Sequence, residues 1–225
     1  WLLTTIPDGK RIFTIENGSR ELALVREKDG KVTNSVIHTL TRYSENEKQN
    51  IDQDMLLDMA LRFNPEIICV GEMRSSEAYT AQESARTGHT VLSTIHSNSC
   101  ESTYSRMRTL CKRKYDMDDE VLMDLVTEAF PIVVFTKQLE NRKRKLMEIM
   151  ECEILADGTR RYRPLFQYQI TENRVEDGKF VIVGHHRQIN PISDSLARRL
   201  MENGMPQETL AGLLNVKKDR GEENE

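Results

Sequence analysis

Ile67-Ile68-Cys69-Val70-Gly71-Glu72 decides the fold: four apolar residues, a glycine, then a carboxylate. A run this short and apolar predicts a strand buried on both faces, as in a parallel sheet. The same pattern stands on either side of it. Ile12-Phe13-Thr14-Ile15 runs into Glu16, and Val91-Leu92-Ser93-Thr94-Ile95 runs into His96. Ligands of open α/β sheets sit beyond the carboxyl ends of the strands, so two carboxylates and an imidazole are expected to converge there. The expectation is an α/β fold with a mostly parallel sheet.

Between these strands lie helical signals. Asp52 is an N-cap for a helix through Arg62, with Met55, Leu56, Met59, Ala60 and Phe63 at helical spacing and Pro65 as its stop. Ser75 or Ser76 caps a helix to about Thr87, Gly88 ends it, and the third strand covers Thr90 to Ile95. Strand, helix, strand in this compass is a parallel crossover. Upstream, Trp1 to Ile6 reads as the last turn of a helix, Leu22-Ala23-Leu24-Val25 as a short strand, Asp29-Gly30 as a hairpin turn and residues 44–50 as a solvated loop. Downstream, helices are expected near 99–112 and 118–129, the latter with Val121, Leu122, Leu125, Val126 and Ala129 on one face. A strand follows over Ile132 to Phe135. From Leu146 to Gly184 strands are broken by Asp157-Gly158 and Asp177-Gly178, signals for two-residue hairpins. Ser193 caps a last helix pair, broken by Gly204 and Pro206, and a charged tail begins after Lys217.

The chain has 225 residues, 30% charged and 6% aromatic, with a net charge of -4. That charge supplies no broad basic field to neutralise phosphates, so no direct nucleic-acid contact is expected. Lys112-Arg113-Lys114 and Arg142-Lys143-Arg144-Lys145 read as solvated faces. Cys69, Cys100, Cys111 and Cys152 form no C-x-x-C pair and read as reduced thiols of a cytosolic protein. No stretch approaches the roughly 20 apolar residues of a membrane span, so membrane work would be peripheral.

A carboxylate directly behind buried residues must face water, a cation or a reactive water. Glu72 suits polarising a water or supporting a metal ion; its bland alternative is a simple pair with Arg74. Glu16 with Glu21 can supply an acidic pair at the same rim. His89 and His96 are seven apart, so on one continuous strand they would face opposite sides and share no metal. Thr94 and His96, two apart, would project together, as suits sensing a terminal phosphate. No G-x-x-x-x-G-K-[ST] occurs in the sequence, so the acidic side of a nucleotide site stands without a phosphate cradle.

Three segments resemble the type II/IV secretion ATPases. Arg11-Ile12-Phe13-Thr14-Ile15-Glu16 is similar to their Asp box, Asn64 to Arg74 to their Walker B segment, and Thr87 to Ser99 to their His box. Asn17 and Asn64 depart from the family pattern, standing where aspartate and arginine are common. The segment from Leu146 on resembles the tight-adherence pilus branch most. The resemblance implies a RecA-like P-loop NTPase core over residues 1–140, an antiparallel extension of the same domain over 141–190, a helical pair over 191–216 and a tail over 217–225.

It also implies an ATP- and Mg²⁺-dependent motor whose P-loop precedes Trp1, so that this stretch alone would be inactive and bind ATP poorly. Glu72 would be the catalytic glutamate, with Mg²⁺ held only indirectly near it. Glu16 and Glu21 would be the Asp-box acids and His96 the γ-phosphate sensor. Gly71, Arg74, Thr94, His89 and Arg42 would complete the nucleotide-contacting set. The implied setting is a homo-hexamer at the cytoplasmic face of the inner membrane, working with a membrane platform protein in export or pilus assembly. The alternative is a naturally P-loop-less assembly or regulatory subunit.

Overall fold

The computed structural model describes residues 2–216; the expected tail lies outside them. Contacts divide the chain into two compact units, one running to Asn98 and including Ser102–Phe130, the other holding Ser99–Glu101 and the residues from Pro131 on.

In the first unit the strands are β1 (Arg11–Glu16), the hairpin pair β2 (Glu27–Lys28) and β3 (Lys31–Val32), β4 (Ser35–Leu40), β5 (Ile67–Val70) and β6 (Thr90–Ser93). Four of them form an all-parallel sheet in the order β4-β1-β5-β6. Ile12, Phe13, Ile15, Ile68 and Val70 are buried, as both-face coverage requires. Helices α1 (Gln53–Ala60), α2 (Glu77–Arg86), α3 (Cys100–Lys112) and α4 (Asp119–Ala129) follow the expected order.

The departures have local causes. Leu22 to Val25 is no strand, because side chains take its backbone groups. Glu16 accepts from Leu22 N, and Asn34 donates to Leu24 O and accepts from Arg26 N. Leu24 instead joins Ile6, Ile12 and Cys69 in a buried cluster. Leu2–Thr5 is a 3₁₀ turn, and β4, unanticipated within residues 17–50, forms the sheet edge beside β1. Asp52 caps α1 through Met55 N at 2.8 Å, but the helix tightens to a 3₁₀ turn over Leu61–Phe63 before Asn64 adopts a left-handed φ of 49° ahead of Pro65. At α2 neither expected serine caps: Ser76 makes no cap bond, and the Glu77 carboxylate accepts from Arg74 N and Ser75 N, placing negative charge at the helix's positive end. In α4, Leu122, Val126 and Ala129 are buried, whereas Val121 faces outward.

The second unit holds β7 (Ile132–Gln138), β8 (Arg144–Ile154), β9 (Arg160–Glu176) and β10 (Lys179–Gln188), an antiparallel sheet in the order β10-β9-β8-β7. Asp177-Gly178 is a two-residue turn with both φ positive, 47° and 72°. Asp157-Gly158 is not: residues 155–159 make the connection, and only the glycine has a positive φ. Helices α5 (Asp194–Glu202) and α6 (Gln207–Leu214) follow, with Leu165, Ile192, Leu196, Ala197 and Leu210 in one cluster. Ser193 caps α5 through Leu196 N and donates to the buried Glu151 carboxylate.

Candidate active site

Strand register sets the rim. Ile15 pairs with Val70 and Val70 with Ser93, so one residue further along come Glu16, Gly71 and Thr94, side by side. Gly71 N donates to Ile15 O at 2.8 Å. A Cβ on Gly71 would stand 3.3 Å from Ile15 O and 3.6 Å from Glu16 Cγ, so glycine lets the first strand end lie against the second.

Glu16 is only 3% exposed. Its Oε1 accepts from Glu21 N at 2.6 Å and Leu22 N at 2.8 Å, while the buried Oε2 has no hydrogen-bond partner. The expected acidic pair therefore takes another form: Glu21 contributes its backbone amide to Glu16, and its own carboxylate is exposed. The sequence reading missed His38, whose Nδ1 lies 2.8 Å from Thr14 Oγ1 and 3.9 Å from Glu16 Oε2. Burial, then the charge of Arg20, pushes the imidazole pKa below 6.5, against the pull of Glu16. The β-branched neighbours in Ser35-Val36-Ile37-His38-Thr39 were the available signal.

Glu72 pairs with the Arg74 guanidinium, and its Oε1 lies 3.1 Å from His96 Nε2, within ion-pair reach but without hydrogen-bond alignment. The Arg74 hydrogen bond holds the Glu72 carboxyl below the usual range, helped by the charges of Arg74, His96 and Arg106 and opposed by burial. Gln53 Nε2 donates to Glu72 O at 3.1 Å, tying this backbone to α1. The simple Glu72–Arg74 pair thus exists, and His96 faces the other carboxylate oxygen.

Thr94 does not extend β6. Its hydroxyl donates to Gly71 O at 2.7 Å and its carbonyl accepts from Met73 N at 2.8 Å, which holds the segment carrying His96 against the residues that follow β5. His89 is not brought to the rim: it precedes β6 at the opposite end of the sheet, about 13 Å away at the usual strand rise. Arg42 bridges Ile51 through its backbone, with bonds of 2.9 and 2.8 Å, and its side chain is exposed.

Two carboxylates at one rim fit Mg²⁺, which is commonly held through one or two carboxylates, waters and substrate phosphates. The partnerless Oε2 of Glu16 is an acceptor of the right kind. Among the described residues no group of three His, Cys, Asp or Glu side chains could hold a metal ion by itself.

The parallel sheet with its polar strand ends makes the first unit an open α/β fold, and the second unit is an antiparallel sheet followed by two helices. The crystal structure of the VirB11 ATPase from the Brucella suis type IV secretion system in complex with sulphate matches with a TM-score of 0.54 at 22% identity, over 67% of this chain and 44% of that one. The chain belongs to the type II/IV secretion system protein family, whose model matches residues 2–205. It is similar to competence protein ComGA of Halalkalibacterium halodurans, 30% identical over 130 residues, 52% of this chain and 37% of that protein. It is also similar to VirB11 of Agrobacterium tumefaciens, 27% identical over 166 residues, 71% of this chain and 44% of that protein. The chain thus spans less than half the length of these relatives.

Proposed function

We propose that the complete protein hydrolyses ATP with Mg²⁺ to drive secretion or pilus assembly, and that Glu72, Glu16 and His96 form the hydrolytic rim of its nucleotide site. The observation that carries this reading is the level row of strand ends, with Gly71 against Glu16 and the Glu72 carboxylate 3.1 Å from His96. Glu72 orients the attacking water and receives its proton. Arg74 keeps that carboxyl ionised, and His96, exposed beside it, responds to the charge of the terminal phosphate. Glu16, fixed by two backbone amides, would offer its free oxygen to Mg²⁺, which would supply charge neutralisation at the phosphates. The nucleotide supplies the phosphoanhydride when bound; this chain's residues place the water and the counter-charge. Arg42 reaches phosphate from the edge of the site.

Membership of the family supports a homo-hexamer at the cytoplasmic face of the inner membrane, docked on a platform protein. No described helix is long and apolar enough to cross a membrane. In the complete protein, Glu72→Gln is expected to lower ATP turnover by about 100-fold or more while leaving ATP binding intact. Turnover at the native rate would remove the role given to Glu72.

A further inference from the structure

Most basic side chains of α3 and the turn after it are tied down. Arg108 pairs with Asp119 at 3.4 Å, Lys112 with Asp119 at 2.8 Å and Lys114 with Asp54 at 3.0 Å, and Arg113 donates to Arg74 O at 3.2 Å. Arg106 differs. It is exposed, no side chain pairs with it among the described residues, and its charge acts on Glu72. An open groove runs between α3 and the loop that carries His96, lined by His96, Asn98, Ser105, Arg106, Arg108 and Thr109 with neighbouring serines.

Among the lining groups Thr109 Oγ1 donates to Ser105 O, the Ser97 and Ser102 hydroxyls bond each other and Arg108 pairs with Asp119, so the Arg106 guanidinium, with the Asn98 amide and the Ser105 hydroxyl, supplies the donors, and no lining residue is a carboxylate. A guanidinium that no carboxylate pairs, flanked by amide and hydroxyl donors, suits a tetrahedral oxyanion. The groove's wall is shared with the candidate site, because His96 both lines it and faces Glu72 Oε1.

We propose that this groove is a phosphate subsite, with Arg106 as its charged anchor, and that it takes the orthophosphate released by hydrolysis beside Glu72. The affinity for phosphate stands on the groove alone; the source of the ion rests on the proposed function. An unpaired guanidinium in the groove that His96 shares with the candidate site offers a departing phosphate dianion a site of opposite potential. Arg106 binds the ion and takes no part in bond cleavage.

Calorimetric titration of this chain with inorganic phosphate at constant ionic strength tests the subsite. Saturable millimolar binding is expected, weakened about tenfold or more in Arg106→Ala, as loss of a charge-assisted hydrogen bond implies. Arg142→Ala, which removes one positive charge outside the groove, keeps the affinity. Absence of saturable binding, or an equal loss in both variants, overturns the subsite. In the complete protein, Arg106→Ala is expected to slow phosphate release while single-turnover ATP cleavage keeps its rate; unchanged release overturns the source. Phosphate binding that survives alongside a fully active Glu72→Gln protein would instead sink the proposed function and leave the subsite in place.

Discussion

In the parallel sheet, β1, β5 and β6 are four to six residues long, and β1 is buried from Ile12 through Glu16. In the antiparallel sheet the strands run from seven to seventeen residues, and Val134, Val175 and Phe180 are 52%, 61% and 48% exposed. The difference decides where chemistry can gather. A strand covered on both faces admits a polar side chain in its middle only where it is paired, as Thr14 is with His38, and parallel register levels the strand ends into one row. A strand with one wet face spreads its polar residues along its length. Its charges then pair locally, as Arg163 does with Glu153 at 2.8 Å.

That contrast is testable first where the expected effect is largest. Phe13 is fully buried, with its ring 5.7 Å from that of Phe63. Phe13→Ala should cost about 3–5 kcal/mol, while Val134→Ala, in a half-exposed position, should stay within about 0.5 kcal/mol. Urea unfolding followed by circular dichroism gives both numbers, and equal losses would break the distinction.

The antiparallel sheet has its own tight point. At the β9–β10 bulge a Cβ on Gly184 would fall 2.3 Å from Gln169 O and 2.9 Å from Tyr168 Cζ, closer than such atoms approach. Gly184→Ala should therefore cost about 1–3 kcal/mol, and the loss should appear as faster amide exchange in β9 and β10. Native protection in the variant would mean that the two backbones are free to separate.

Both the strong and the weak legibility of the chain follow from the same contrast. Ile67 to Val70 and Ile12 to Ile15 were readable because burial on two faces leaves an uninterrupted apolar run, and the polar residue that ends such a run marks the rim. β4 was hidden because Ser35, His38 and Thr39 interrupt its pattern at the sheet edge. Leu22 to Val25 misled because apolar content cannot reveal that a carboxylate and an asparagine take the backbone bonds a strand would need. Thr94 and His96 lie past the end of β6, where strand alternation stops at Ser93 and bonds from Thr94 to Gly71 O and Met73 N hold the segment, which the spacing alone does not contain. Arg106 carried no signal at all, since a basic residue in a helix reads as solvated until its neighbours are shown to be paired and it is not.

The smallest effect concerns the residue that the sequence reading missed. Burial of His38 between Thr14 and Glu16 lowers its pKa from 6.5, so near pH 6 the unfolded chain binds a proton that the folded chain declines. The ring's contribution is complete above pH 6.5 and is lost as pH falls toward the folded value. Glu16 works against this by attracting the imidazolium, and Arg20 works with it. Acidification from about pH 7.5 to 5.5 should thus weaken the parallel sheet, and His38→Gln should remove that part of the slope. If the variant keeps the wild-type slope, the acid sensitivity belongs to other groups. If the slope reverses, Glu16 holds the imidazolium more strongly than burial excludes it, and the partnerless oxygen of Glu16 is a weaker case for a cation's acceptor, because a protonated histidine would already serve it.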